Sequence, residues 1–167
     1  VYIHWPYCKS ICPYCDFNRY LMPSGAPKGA DGPSTDTIHE EVHRTMREAL
    51  LSELQHSLEA YSANLTPTNF SSRLQPSSPL RRPLIKSIFF GGGTPSLLSG
   101  DQLARIFDAI PRTPSAEITV ECNPDAADAQ RLDGYAQAGV NRLSFGVQSL
   151  EPRVLAALGR THNPENV

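Results

Sequence analysis

Apolar residues recur at steps of four in one stretch of the chain and gather in short runs elsewhere. In TIHEEVHRTMREALLSELQHSLEAY, Ile38, Val42, Met46, Leu50, Leu54 and Leu58 form one stripe, which predicts a helix with a single buried face. Thr37 and Glu40 have the spacing of a capping box at its start. VYIHW, LIKSIFF, AEITVE and NRLSFGVQ are instead short, apolar and rich in strand formers. A helical pattern follows each of the last three. SGDQLARIFDAI opens on a Ser99/Gln102 capping pair and sets Leu103, Ile106, Phe107 and Ile110 on one face. DAQRLDGYAQAG is expected to stop at Gly139, and EPRVLAALG has Pro152 in its first turn and Gly159 beyond its end.

Strands alternating with helices predict an α/β fold with a parallel sheet and right-handed crossovers. Four β-then-α units do not close a barrel, so the expectation is an open arc or a chain that stops short of closure. Two Pro/Ser-rich stretches, 23–36 and 62–83, have little apolar content to offset the entropy of ordering. Both are read as flexible insertions within one domain spanning 1–167.

Composition narrows the functional classes. The 167 residues carry a net charge of −2, which supplies no basic field for sequence-independent nucleic-acid binding. No apolar run reaches the roughly 18–20 residues that cross a bilayer. The opening VYIHWPYC has no initiator Met and is neither a signal nor a transit peptide, so a cut fragment is expected. Three of the four cysteines lie within CKSICPYC, whereas a disulfide framework disperses its cysteines. A reducing compartment is the better inference.

Thiols bind metal as thiolates, and three thiolates in one loop repel each other unless a cation neutralises them. Cys8, Cys12 and Cys15 therefore point to a metal or cluster rather than to packing or a Cys12–Cys15 redox pair. Structural zinc recruits a second close pair of ligands, and here only Cys122 and His162 follow, far apart. A zinc-binding interaction module thus stands behind an iron–sulfur cluster. A cubane on three cysteines leaves one iron open to a small ligand.

The other chemical signals also fall at strand carboxyl ends, where parallel sheets bind ligands: GGGTP, ECNP and GVQS. A glycine run lets backbone approach a ligand closely, although it also makes an ordinary turn. Glu121 can accept bonds from ribose hydroxyls or an ammonium, or be a solvated rim charge. Strand alternation points Cys122 away from Glu121, as a small buried apolar residue. Gln148 suits adenine or ribose, and Arg160 a carboxylate, each no more firmly than a structural role. His39, His43 and His56 lie off the helical stripe and read as solvated. His4 reads as packing, or as a hydrogen-bond partner behind the metal ligands.

The C-x3-C-x2-C loop resembles the signature of the radical S-adenosylmethionine (SAM) superfamily. The resemblance implies a partial (β/α) barrel, the first four units of six. It also implies a 4Fe–4S cluster whose open iron is chelated by the cofactor's amino and carboxylate groups. Reduction then cleaves the sulfonium bond and yields a deoxyadenosyl radical. YIHWPYCKSICPYCDFN, FFGGGTPSLL, ECNPD, NRLSFGVQSL and LGRTH together resemble the relatives of oxygen-independent coproporphyrinogen III oxidase, in their heme-chaperone (HemW-like) branch. That resemblance implies cluster ligands Cys8, Cys12 and Cys15. It implies S-adenosylmethionine contacts at Tyr2, Tyr14, Gly92, Gly93, Thr94, Glu121, Gln148 and Arg160. The oxidases carry a further cysteine two residues after the third ligand; here that position is Phe17. The departure counts against porphyrinogen decarboxylation and for heme binding, with transfer to an acceptor hemoprotein and a one-electron reductant as further partner. The family's heme-binding segment lies C-terminal to the radical domain, so no heme ligand is assigned. The insertions suggest a eukaryotic version, for which the family implies mitochondria; a bacterial version would be cytoplasmic.

Overall fold

Each short apolar run becomes a strand of one parallel sheet. A computed structural model describes residues 1–25, 32–64, 84–126 and 128–167. In chain order its elements begin with β1 (Tyr2–Trp5), β2 (Tyr7–Cys8), β3 (Tyr20–Leu21) and α1 (Thr35–Asn64). They continue with β4 (Ile85–Gly92), α2 (Gly100–Phe107), β5 (Arg112–Cys122), α3 (Ala129–Gln137), β6 (Arg142–Phe145) and α4 (Pro152–Ala157). The main sheet has the order β1-β4-β5-β6, all neighbours parallel. β2 and β3 form a separate two-stranded ladder.

Alternation along the strands sorts the two faces of the sheet. Ile3, Trp5, Ile88, Phe90, Ile118, Val120 and Cys122 share one face and pack against Leu103, Ile106 and Phe107 of α2 and Tyr135 of α3. Met46, Leu50 and Leu54 of the α1 stripe lean on the same core. Each large side chain enclosed there contributes about 1.5–3 kcal/mol relative to exposure. The residues between them, Tyr2, His4, Phe89, Thr119, Glu121 and Ser144, occupy the opposite face in register. Cys122 and Glu121 therefore diverge as alternation requires.

Several boundaries differ from the sequence expectation. α1 begins at Thr35, and the Ser34 hydroxyl accepts the Thr37 N–H at 3.2 Å. Ser34 takes the capping role, so Thr37 lies inside the first turn and the Thr37/Glu40 box does not open the helix. Thr35, Asp36 and 62–64 thus belong to α1 rather than to the expected insertions, of which 26–31 and 65–83 lie outside the described residues. β5 starts at Arg112, earlier than expected, because Ile85 pairs with Arg112 before a register shift brings Ser87 opposite Glu117. β6 ends at Phe145, short of Gln148, whose φ of 66° cannot continue a strand.

The Ser99/Gln102 box forms as expected, with both reciprocal bonds present. The Gln102 amide also reaches His43 at 3.3 Å on α1. His43 packs edge-on to Trp5 with ring centroids 5.4 Å apart. It is half-buried, which corrects the reading of a solvated histidine; the contact comes from a strand far away in sequence. His39 is half-buried too, and His56 is exposed. The turns at Gly139 and Gly159 have φ of 91° and 68°, as helix-stopping glycines do. Among the described residues no helix is long and apolar enough to cross a membrane.

Candidate functional site

The cysteine loop springs from the end of β1 and is closed at its base. Tyr7 pairs with Tyr20 and Cys8 with Leu21, while the N–H groups of Tyr20 and Met22 donate to the carbonyls of Pro6 and Cys8 at 2.7 and 2.9 Å. Inside the loop the Cys15 N–H donates to the Cys12 carbonyl at 3.2 Å, so the C-x2-C arms fold into one tight turn. Cys8, Cys12 and Cys15 are free thiols bordering one cavity of about 510 Å³. Among the described residues no three His, Cys, Asp or Glu groups converge tightly enough to grip a single ion. The three thiols border the same cavity, a soft donor set that fits a cluster with several metal corners. Burial pushes the Cys8 thiol up, the Thr94 hydroxyl opposes it, and Cys15 and Cys12 push it further up. A thiol so placed becomes thiolate most readily beside a cation.

β4 delivers GGGT to the same wall. The N–H of Gly93 donates to the Trp5 carbonyl at 2.6 Å and that of Thr94 to the Tyr7 carbonyl at 2.9 Å. The glycines thereby zip onto the stem of the cysteine loop. A Cβ on Gly93 would lie 2.8 Å from the Pro6 and Tyr7 carbonyl oxygens. Gly92 has φ +112°, and a Cβ there would lie 2.7 Å from His4 Nδ1 and the Trp5 oxygen. Both positions exclude a side chain on packing grounds alone. The Gly92 N–H donates to Glu121 Oε2 at 3.0 Å, which joins the glycine run to the end of β5.

Beyond β5 and β6 the wall is polar. Arg160 Nη2 donates to Asn123 Oδ1 at 3.0 Å and to the Gly146 carbonyl at 2.6 Å. Its Nη1 faces Cys12 Sγ at 3.9 Å, and its buried Nε has no partner among the described residues. Gln148 sits at the centre of a γ-turn, the Ser149 N–H donating to the Val147 carbonyl at 2.8 Å. Burial raises the Tyr14 hydroxyl pKa, its bond to Cys12 adds to the rise, and the charge of Arg160 opposes both.

The cavity thus gathers Cys8, Cys12, Cys15, Tyr14, Gly92, Gly93, Thr94, Glu121, Gln148 and Arg160. Tyr2 stands apart from this lining. Its hydroxyl is 3.0 Å from His4 Nδ1 and its ring stacks on Phe89 with centroids 6.1 Å apart. Burial and the Glu121 charge both raise its pKa. His4 Nε2 is 2.8 Å from the Asn18 carbonyl, so His4 ties β1 to the far end of the cysteine loop. Cys122 is buried, and its thiol donates to the Val120 carbonyl at 3.8 Å and is pushed up to about 11 by burial. His162 is buried away from the cavity lining.

The sequence reading did not single out Asn123, Ser96, Arg131 or Arg19. Ser96 accepts the Asn123 N–H on its hydroxyl at 3.2 Å, and its carbonyl accepts from Arg131 Nη1 at 2.7 Å. The Tyr135 hydroxyl adds a bond to the Leu98 carbonyl at 3.0 Å, pinning the loop after GGGTP to α3. Position just after a strand was the one signal available for Asn123.

Comparison with known proteins identifies the family and the fold. Residues 78–167 match the model of the radical SAM superfamily. The chain belongs to that superfamily. It is 38% identical over 167 residues to the bovine protein named radical S-adenosyl methionine domain-containing protein 1, mitochondrial, covering 98% of this chain and 30% of the relative. It is 36% identical over 169 residues to heme chaperone HemW of Escherichia coli K12, covering 99% of this chain and 36% of the relative. The chain therefore spans about a third of the length of these curated relatives. Coproporphyrinogen III oxidase (HemN) of Escherichia coli, described as a radical SAM enzyme, superposes with a TM-score of 0.70 at 22% identity. That match covers 99% of this chain and 31% of the oxidase, and shows the α/β barrel-type fold.

Proposed function

We propose that this chain is the cluster- and S-adenosylmethionine-binding part of a heme-chaperone-like protein, which binds heme and passes it to hemoproteins. The observation that carries the reading is the convergence of Cys8, Cys12 and Cys15 with the glycine run, Glu121, Gln148 and Arg160 on one cavity. The three cysteines would hold a 4Fe–4S cluster. When bound, that cluster supplies the single electron that cleaves the cofactor's sulfonium bond.

The residues around it have separable tasks. Gly92 and Gly93 bring backbone to the cavity wall they share with the cysteines, where a carbonyl could accept from the cofactor's amino group. Glu121, already accepting from the Gly92 N–H, keeps a second carboxylate oxygen for an ammonium or ribose hydroxyl. Arg160 lines the same cavity with a guanidinium suited to the cofactor's carboxylate. Gln148 offers an amide that both donates and accepts, and Tyr14 an aromatic wall. Tyr2 would contribute through a turn of its side chain away from His4.

Phe17 borders the cavity where the oxidases of the family carry a further cysteine, which supports a chaperone over decarboxylation of coproporphyrinogen III. A mitochondrial location is supported by the relatives named as mitochondrial, the bovine one among them. The test is anaerobic purification and reconstitution of the full-length protein that contains this chain, with iron and sulfide assayed and heme titrated. Iron near four per chain, an electron paramagnetic resonance change on adding S-adenosylmethionine, and stoichiometric heme uptake are expected. Cys12→Ala should lose the visible absorption and Cys122→Ala keep it. Zinc without iron would replace this reading with the zinc module, and turnover of coproporphyrinogen III would replace it with the oxidase.

A further inference from the structure

We propose that Asn123 and the Gly146 carbonyl clamp Arg160 against the sulfur of Cys12, and that this contact raises the reduction potential of the cluster. The inference rests on the reading of Cys8, Cys12 and Cys15 as cluster ligands.

The clamp is built from two strand ends. Asn123 follows β5 and Gly146 follows β6, and both accept from the same nitrogen, Nη2, at 3.0 and 2.6 Å. Two acceptors on one arm of a rigid planar fork fix the direction of the other arm. That arm, Nη1, faces Cys12 Sγ at 3.9 Å. The root of the side chain is fixed as well, because the Arg160 N–H donates to the Leu155 carbonyl at 2.9 Å where Gly159 ends α4. Gly146 lies beside the clamp, a Cβ built on it falling at ordinary contact distance, 3.7 Å from Nη2 and 3.8 Å from Asn123 Oδ1.

A guanidinium cannot lose its charge, so it presents a permanent positive field to the sulfur. One-electron reduction makes a cluster and its thiolates more negative. A cation held beside a ligand sulfur favours that reduced state, and charge and hydrogen bonding at the sulfurs are recognised determinants of cluster potential. Partial burial strengthens the effect. Asn123 is on this account a positioning residue, acting through Arg160.

The experiment is a redox titration of the anaerobically reconstituted protein, with dithionite as one-electron reductant, no S-adenosylmethionine, and the reduced cluster followed by electron paramagnetic resonance. Parent, Asn123→Ala, Arg160→Lys and Arg160→Gln are compared at matched iron content. The midpoint is expected to move to more negative potential in all three variants, most in Arg160→Gln. Midpoints equal to the parent's in Asn123→Ala and Arg160→Gln overturn the proposal, and a shift in Arg160→Gln alone overturns the role of Asn123. If Arg160→Gln fails to retain iron, Asn123→Ala decides by itself. A parent that assembles no cluster sinks the ligand reading and this inference with it, whereas a loaded parent with unmoved variants sinks this inference only.

Discussion

Gln148 holds a backbone conformation that L side chains resist. At φ 66° it occupies the left-handed region, which costs a non-glycine residue about 1–2 kcal/mol. The γ-turn around it tightens the exit from β6 and aims the amide at the cavity. Strain held at a cavity wall is a sign of use rather than of packing. Gln148→Gly is therefore expected to leave stability unchanged or raise it by about 1 kcal/mol in urea titrations while weakening S-adenosylmethionine binding several-fold. Loss of stability would mean that the turn is not strained. None of this was readable from GVQS beyond its place at a strand end. Cys8, Cys12, Cys15 and the glycine run were legible because their chemistry is local in sequence. Asn123 was not, since its role exists only where Arg160 and Gly146 arrive from other units.

Elements dock in this fold through small contacts that backbones must make directly. α2 and α3 meet where Gly100 faces Gly134, and a Cβ on Gly100 would come within 2.3 Å of the Gly134 carbonyl oxygen. Gly134 itself has room, its nearest neighbour being 3.6 Å from a built Cβ. The two substitutions should act in opposite directions. Gly100→Ala is expected to destabilise by about 1–3 kcal/mol through forced separation of the helices. Gly134→Ala, inside α3, should stabilise by roughly 0.5–1 kcal/mol through helix propensity. Denaturant midpoints of the two variants check both signs.

Besides its apolar stripe, α1 docks through a polar contact of Gln102 with His43 over Trp5. Burial lowers the His43 pKa below its ordinary value, so the unfolded chain takes up a proton first as pH falls. His43 thus withdraws stability below about pH 6.5. Relative to parent, His43→Phe should lose less stability between pH 7 and pH 5.5 in urea titrations. The helix itself was plain from its stripe of apolar residues. Its start at Ser34 was not, because Ser34 and Thr37 are equally good caps by sequence and the chosen one depends on how the chain enters. His43 was misjudged because Trp5 lies 38 positions earlier, beyond the reach of any periodicity argument.

At the scale of the molecule, one side of the sheet is a helix-covered core and one rim is the site. Everything at that rim hangs from hydrogen bonds between the cysteine loop and its neighbours: β3 at its base, β4 at its side and Arg160 across it. Anything that binds the folded loop and not the unfolded chain must stabilise the whole. If the proposed cluster is bound, removing its iron with a chelator is therefore expected to lower the calorimetric unfolding temperature of the parent. Cys12→Ala should start near the lowered value and not respond. The parallel sheet and the rim location followed from alternating strand and helix patterns, which restrict topology through handedness. The register shift in β5 did not follow from them, because parallel pairing is set by packing across the core.

The chain has one tryptophan, and Trp5 is wholly enclosed three residues before Cys8. An indole shut away from water next to the loop is a built-in lamp for it. Its emission should be quenched by energy transfer if the proposed coloured cluster assembles nearby and should redden when the core opens, so that loading and unfolding can be followed separately without attaching a dye.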